Sequence, residues 1–165
     1  MPDTLFFYLG RAYRLSVVPD KETVITRVTA RGSRLVVPVA IGFGPDVQRA
    51  TVRSALRHWY RDHAKTHFPA RARKTAELLG IPIPLIKVVD QSKRWGSCDT
   101  RGHIRLNWRL VMAPLSLVDY VIAHEACHVL EHNHSRRFWR YLETIMPDYE
   151  NRVRRLDRLG HLFVW

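Results

Sequence analysis

The chain has 165 residues, enough for one domain with a substantial core and too few for two. Two cysteines, Cys98 and Cys127, cannot build a disulfide framework, so a reducing compartment is expected. The 27 Lys and Arg against 15 Asp and Glu give a formal net charge of +12. That charge suits a polyanion partner such as nucleic acid, and equally a generic basic surface, because the arginines are spread along the chain in short clusters.

The opening stretch "MPDTLFFYLGRAYRL" has no basic region followed by a long apolar run and a small-residue cleavage site. No apolar run approaches the ~18 to 20 residues of a membrane span. A monomeric cytoplasmic protein without membrane contact is expected. No repeat or linker divides it, so residues 1–165 read as one domain: strand-rich over 1–40, helical over 45–80, and a third region over 83–165.

In chain order, "YRLSVV", "TVITRVTA" and "RLVVPVA" are β-branched runs separated by turn-type clusters "PDKE" and "RGS", the pattern of an antiparallel meander. "FGPDVQ" starts a helix with Asp46 as cap. Val47, Ala50, Val52, Ala55, Leu56, Trp59 and Tyr60 form its apolar stripe, and Pro69 is expected to interrupt it. A second helix, "ARARKTAELLG", closes on Gly80. "PLIKVV" reads as a strand, and "RWGSCDTRGHIRLNW" as a hairpin turning at "DTRG". "APLSLVDYVIAHEACHVLEHN" carries the strongest helical periodicity, with Ser116 as its cap. "SRRFWRYLETIM" is a helix capped by Ser135 and stopped by Pro147, and "YENRVRRLDRLG" is a last helix ending at Gly160. The class is α+β, an antiparallel sheet with helices packed on it.

His124, Glu125, Ala126, Cys127 and His128 spell H-E-x-x-H on the strongest helix. Residues i and i+4 share one face, so both imidazoles can reach one zinc ion at ~2.0 to 2.1 Å. Glu125 is rotated from that pair but stays beside the metal's open side. There it can act as general base on a zinc-bound water whose pKa falls to about 7. A third ligand is needed. His132 lies eight residues beyond His124, ~12 Å of helix rise, and Glu131 has the same difficulty. Cys98 is a rival, as a thiolate from a glycine-bearing strand. His134 is favoured: it follows Asn133, which tolerates the left-handed conformation that ends helices, and precedes the Ser135 cap. A solvated histidine face is the bland alternative. Glu125 among Val121, Ile122, Ala123, Ala126 and Val129 argues against it, because an unpartnered charge there is costly.

"RWGSC", "IRLNWRL", "YVIAHEACHVLEHNHSRRFW" and "PDY" together resemble the YgjP-like metallopeptidase family, related to SprT-like and other small HExxH zincins. The resemblance covers roughly residues 5–160 and is strongest from Arg94 to Tyr149. It implies a compact zincin fold, His124, His128 and His134 as zinc ligands, Glu125 as the base, and the "WGSC" hairpin as one wall of a cleft taking a peptide or protein substrate. It also implies a further strand-rich segment at the start, without a counterpart here. The activity expected is zinc-dependent peptide-bond hydrolysis. Two alternatives stand beside it: a basic nucleic-acid-binding module with structural zinc, and a zinc hydrolase of another amide with Cys98 as ligand.

The remaining residues are weighed individually. Tyr120, one turn before His124, either donates to an oxyanion or packs beside the site. Trp95, Gly96 and Ser97 line the groove, or Trp95 is core and Gly96 a bulge. Cys127 is expected to be small and buried, and His63 and His67 to be surface histidines. Phe138 and Trp139 are expected to anchor the following helix and hold His134 in place.

Overall fold

The structure, a computed structural model, describes residues 4–22 and 25–163. Strands β1 (Leu5–Tyr8), β2 (Arg11–Asp20), β3 (Thr29–Arg31) and β4 (Arg34–Ala40) form one sheet in the order β1-β2-β4-β3. The class is α+β as expected, but the antiparallel meander is not what forms. β2 and β4 run parallel, from Arg14 opposite Arg34 to Asp20 opposite Ala40, while β1–β2 and β3–β4 are antiparallel. The chain leaves β2 at the end of β4, crosses to its far edge, and re-enters through the short β3. Of the described residues of "TVITRVTA", only Thr29 and Ala30 are in a strand, and Thr23 and Val24 lie outside the described residues. On β4, Leu35, Val37 and Val39 alternate inward and are fully buried.

The two expected helices over 45–80 are one helix, α1 (Pro45–Leu79), running through Pro69. Its buried side chains Val52, Leu56, Tyr60, Ala64, Phe68, Ala72 and Ala76 recur every fourth residue. A proline inside a helix costs ~3 kcal/mol, and this unbroken apolar row holds the segment helical across it; Pro69 itself faces solvent. Val47 and Ala50 are exposed, so the stripe starts later than its sequence suggests. The cap is Gly44 with Pro45 next, and Asp46 sits in the first turn without capping. Gly80 ends the helix in the left-handed conformation, as expected.

A second sheet follows, in the order β5-β7-β6: β5 (Ile86–Val89), β6 (Gly96–Cys98) and β7 (Ile104–Asn107). β6 and β7 are the expected antiparallel hairpin, while β5 lies parallel to β7, so this sheet too is mixed. The "DTRG" turn is tied by Asp99, whose carboxylate accepts the backbone N–H groups of Arg101 and His103. A 3-10 helix (Trp108–Met112) leads into α2 (Leu115–Leu130), then α3 (Arg136–Ile145) and α4 (Tyr149–Leu159). Pro114, rather than Ser116, occupies the N-cap of α2, and the Ser116 carbonyl accepts from Arg152 instead. Ser135 caps α3 by accepting the Phe138 N–H. α2 packs on α1, β6, α3 and α4, which is why it is apolar on nearly every side. No helix among the described residues is long and apolar enough to cross a membrane.

The β1–β2 turn is pinned to the start of α2. Gly10 has φ +80°, and a Cβ there would lie 2.9 Å from Pro114. Gly10→Ala is expected to lose about 2 to 3 kcal/mol, combining left-handed backbone strain with a backbone clash. Gly32→Ala (φ +57°, with open space around it) is expected to lose only about 1 kcal/mol. Urea unfolding of both variants checks this, and equal losses would show that the Pro114 contact contributes nothing.

Candidate metal centre

α2 ends at Leu130, three residues before the expected Asn133. The early stop lets residues 131–135 turn back before α3 begins. His124 and His128 project from the last two turns of α2, and His134 comes back from this connection. One nitrogen from each of the three rings lies within 4.8 Å of the others. The Nε2 atoms of His134 and His124 are 3.0 Å apart. Tetrahedral ligands at ~2.0 to 2.1 Å from an ion stand ~3.3 Å from one another, so this pair is already near the separation a metal requires.

Each ring is held by a neighbour. His128 Nδ1 lies 3.1 Å from the Glu131 carbonyl, which can only accept, so Nδ1 carries the proton and Nε2 keeps its lone pair. Glu131 thus contributes its backbone, not its carboxylate. The Tyr120 hydroxyl is 3.5 Å from His124 Nδ1, a loose contact on the side away from His134. Phe138 is fully buried, with its ring centroid 5.0, 4.6 and 4.8 Å from those of His124, His128 and His134. Trp139 stacks on His134, and Tyr149 stacks on Trp139. The expectation that α3 anchors His134 through Phe138 and Trp139 is met.

The electrostatics favour neutral imidazoles. Burial, then His128 and His134, lower His124 to about 4, and burial also lowers His128. Their lone pairs are therefore free near neutral pH, as metal binding demands. Glu125 is 8% exposed, and burial raises its carboxyl from 4.5 to about 7, opposed by the charge of Arg94. The wall over Glu125 is Gly96: a Cβ on it would lie 2.9 Å from Glu125 Cγ and 3.1 Å from Oε1. Gly96 is thus a close-approach glycine between strand and carboxylate. Trp95 packs edge-on to Phe163 and against Gly160.

Cys98 does not join the three histidines. Its thiol is half-buried and directed at the Asp99 carbonyl, and burial, then Glu125 and Asp99, push its pKa up to about 11. Cys127 is fully buried, as expected, and His132 is exposed. His63 and His67 are not free surface histidines. Both are half-buried against the Tyr8 hydroxyl, His63 Nδ1 at 2.8 Å and His67 Nε2 at 3.0 Å, and they clamp β1 to α1. Sequence reasoning also missed Asn107, 4% exposed, whose side chain donates to the carbonyls of Gln91 and Arg94 and accepts from the Arg109 N–H. A lone asparagine ending an apolar strand ahead of a buried tryptophan was the available signal.

A mixed α/β scaffold carrying three convergent imidazoles next to a buried carboxylate defines a metal-dependent hydrolase class of site. The YgjP-like metallopeptidase domain model matches residues 2–159, and the chain belongs to that family of metal-dependent peptidases. Two solved structures match part of the chain, the first of them with a similar fold. The metallopeptidase zymogen abylysin of Pyrococcus abyssi has a TM-score of 0.51 at 19% identity, covering 55% of this chain and 93% of that one. The metallopeptidase zymogen jannalysin of Methanocaldococcus jannaschii has a TM-score of 0.48 at 18% identity, covering 54% and 86%. No curated protein sequence matches the chain significantly.

The Glu125 environment has a measurable sign. Its folded pKa is raised, so the folded state holds this proton more tightly than the unfolded state between pH 4.5 and 7. Stability contributed by the carboxyl is present below 4.5 and is lost as pH rises through 7. In metal-free protein, Glu125→Gln is expected to gain stability relative to the parent on going from pH 4.5 to pH 8, by on the order of 3 kcal/mol. Urea midpoints of both proteins across this range test it, and a pH-independent difference would contradict it.

Proposed function

We propose that the chain is a zinc-dependent peptidase in which His124, His128 and His134 hold the ion and Glu125 is the general base. The observation that carries this reading is the meeting of three imidazole nitrogens within 4.8 Å on the helix that also bears Glu125. Three neutral nitrogen donors that leave one position open are the donor set of a catalytic zinc site. Bound there, zinc would supply Lewis acidity toward water and the scissile carbonyl at neutral pH.

The chain's own residues account for the proton movements. Glu125, raised to about 7 by burial, is matched to both taking and giving a proton near neutrality. It would accept the proton of the attacking water on a carboxylate oxygen and return it to the departing amine nitrogen. Gly96 leaves room for that carboxylate beside β6. The Glu131 carbonyl fixes the His128 tautomer, and Phe138 fixes the orientation of all three rings. The substrate is a peptide or protein, and the chain acts as a cytoplasmic monomer.

His134→Ala is expected to lose most of its bound zinc, measured by elemental analysis, while Glu125→Gln keeps it and loses at least about 100-fold in peptide hydrolysis. Gly96→Ala is expected to keep zinc and lose activity, because the new methyl group displaces the Glu125 side chain. Full hydrolysis by zinc-loaded Glu125→Gln would overturn the mechanism. Zinc lost from Cys98→Ser but retained by His134→Ala would instead support the amide hydrolase with Cys98 as ligand.

A further inference from the structure

A cavity of about 530 Å³, lined by Gln91, Ser92, Lys93, Arg94, Trp95, Asn107 and Arg109, flanks the turn that leads into β6. Its rim is a built turn. Asn107 donates its side-chain N–H groups to the carbonyls of Gln91, at 2.7 Å, and Arg94, at 3.2 Å. Its backbone N–H is 2.8 Å from the Trp95 carbonyl, and its side-chain oxygen takes the Arg109 N–H. One buried amide therefore fixes the loop that presents Lys93 and Arg94.

The three cations here are not equivalent. Arg109 is paired with Asp90 and lies over the Trp108 ring, so its charge is already committed. Lys93 and Arg94 are exposed and form no salt bridge with a carboxylate among the described residues. Arg94 is close enough for its charge to act on Glu125. Only Trp95 separates this turn from Gly96, the residue in contact with Glu125, so about 7 Å of chain runs from Arg94 to that contact.

We propose that this cavity is a substrate subsite that takes an acidic side chain, aspartate or glutamate, one or two residues from the scissile bond. The inference rests on the peptidase reading and adds a substrate class to it. The chemistry matches in size and sign: one ammonium and one guanidinium on a short, amide-anchored turn suit a single carboxylate. A nucleic-acid strand would need a charged track and open aromatic faces on which bases stack. Of the described residues that line the cavity only Trp95 is aromatic, and its ring also packs against Phe163 and Gly160, so no run of stacking faces is present.

The test uses two fluorescent peptides that differ only by Glu against Gln at one position next to the cleavage site, scanned across both sides of it. Binding is measured by anisotropy to zinc-loaded Glu125→Gln, which also removes any effect of Arg94 on the base. At one of these positions the acidic peptide is expected to bind about fivefold tighter than its amide twin. Lys93→Met with Arg94→Met should abolish that preference, and Arg73→Met with Lys74→Met, an equal loss of two charges on an exposed face of α1 outside the cavity lining, should leave it. Absence of any preference, or its persistence in the double variant, overturns the proposal. So does a single-stranded oligodeoxynucleotide whose affinity alone falls in the double variant, which would assign the cavity to nucleic acid. Hydrolysis of the same peptides by the unmodified chain is read separately. Cleavage without acidic preference overturns the subsite and keeps the peptidase; preferential binding without cleavage overturns the peptidase reading and leaves the cavity as a carboxylate-binding site only.

Discussion

The approach of β6 to α2 at Gly96 and Glu125 determines how the two halves of the site meet. α2 is buried on almost every side, with Leu117, Ile122, Ala123, Ala126 and Cys127 fully enclosed. A carboxylate on such a helix is unfavourable wherever it is not solvated or paired. The structure accommodates it at one place, beneath a residue without a side chain, with Arg94 as the nearby cation. A larger residue at position 96 would separate the strand from the helix or drive Glu125 out of position. The burial that makes Glu125 costly also moves its pKa toward neutrality, so packing and acid–base chemistry arise from the same contact.

The second constraint is the chain reversal after Leu130. A helix continuing through Asn133 would carry His132 along its axis and keep His134 from meeting His124 and His128. Ending at Leu130 frees the Glu131 carbonyl to accept from His128, and Ser135 restarts the helix with a side-chain cap. Phe138, one turn into α3, then fills the space behind all three imidazoles. The three rings are thereby pre-positioned by backbone and aromatic packing, which reduces the reorganisation required when an ion binds.

The convergence of the three histidines was more legible in the sequence than the strand pairing, for physical reasons. H-E-x-x-H reads directly because helical spacing translates into shared direction, and Ser135 marks the start of α3 by residue type; the left-handed turn expected at Asn133 does not form, because α2 has already stopped at an extended Glu131. The sheets were harder. "TVITRVTA" has the composition of a strand, yet of its described residues only Thr29 and Ala30 pair in one. Strand propensity measures fit to a pleated surface and does not specify which neighbour is available. Parallel pairing of β2 with β4, and of β5 with β7, leaves no local signature in short runs. Pro69 looked like a helix end because its local cost is real. The row from Val52 to Ala76 outweighs it by tertiary packing, and at ~100° per residue a four-residue repeat advances ~40° per step, so the buried row winds around α1 and meets β4, the 3-10 helix, α2 and β5 in turn. His63 and His67 were misjudged because their partner, Tyr8, lies more than 50 residues away in sequence. Asn107 was missed for a similar reason: its value lies in the loop it holds.

X-ray absorption at the zinc edge of the zinc-loaded chain distinguishes a centre of three imidazoles from one that includes a thiolate. A three-histidine centre requires a first shell of nitrogen and oxygen only, at about 2.0 to 2.1 Å, with the multiple-scattering pattern of three imidazole rings. A sulfur scatterer at about 2.3 Å would place Cys98 on the metal and contradict the three-histidine centre.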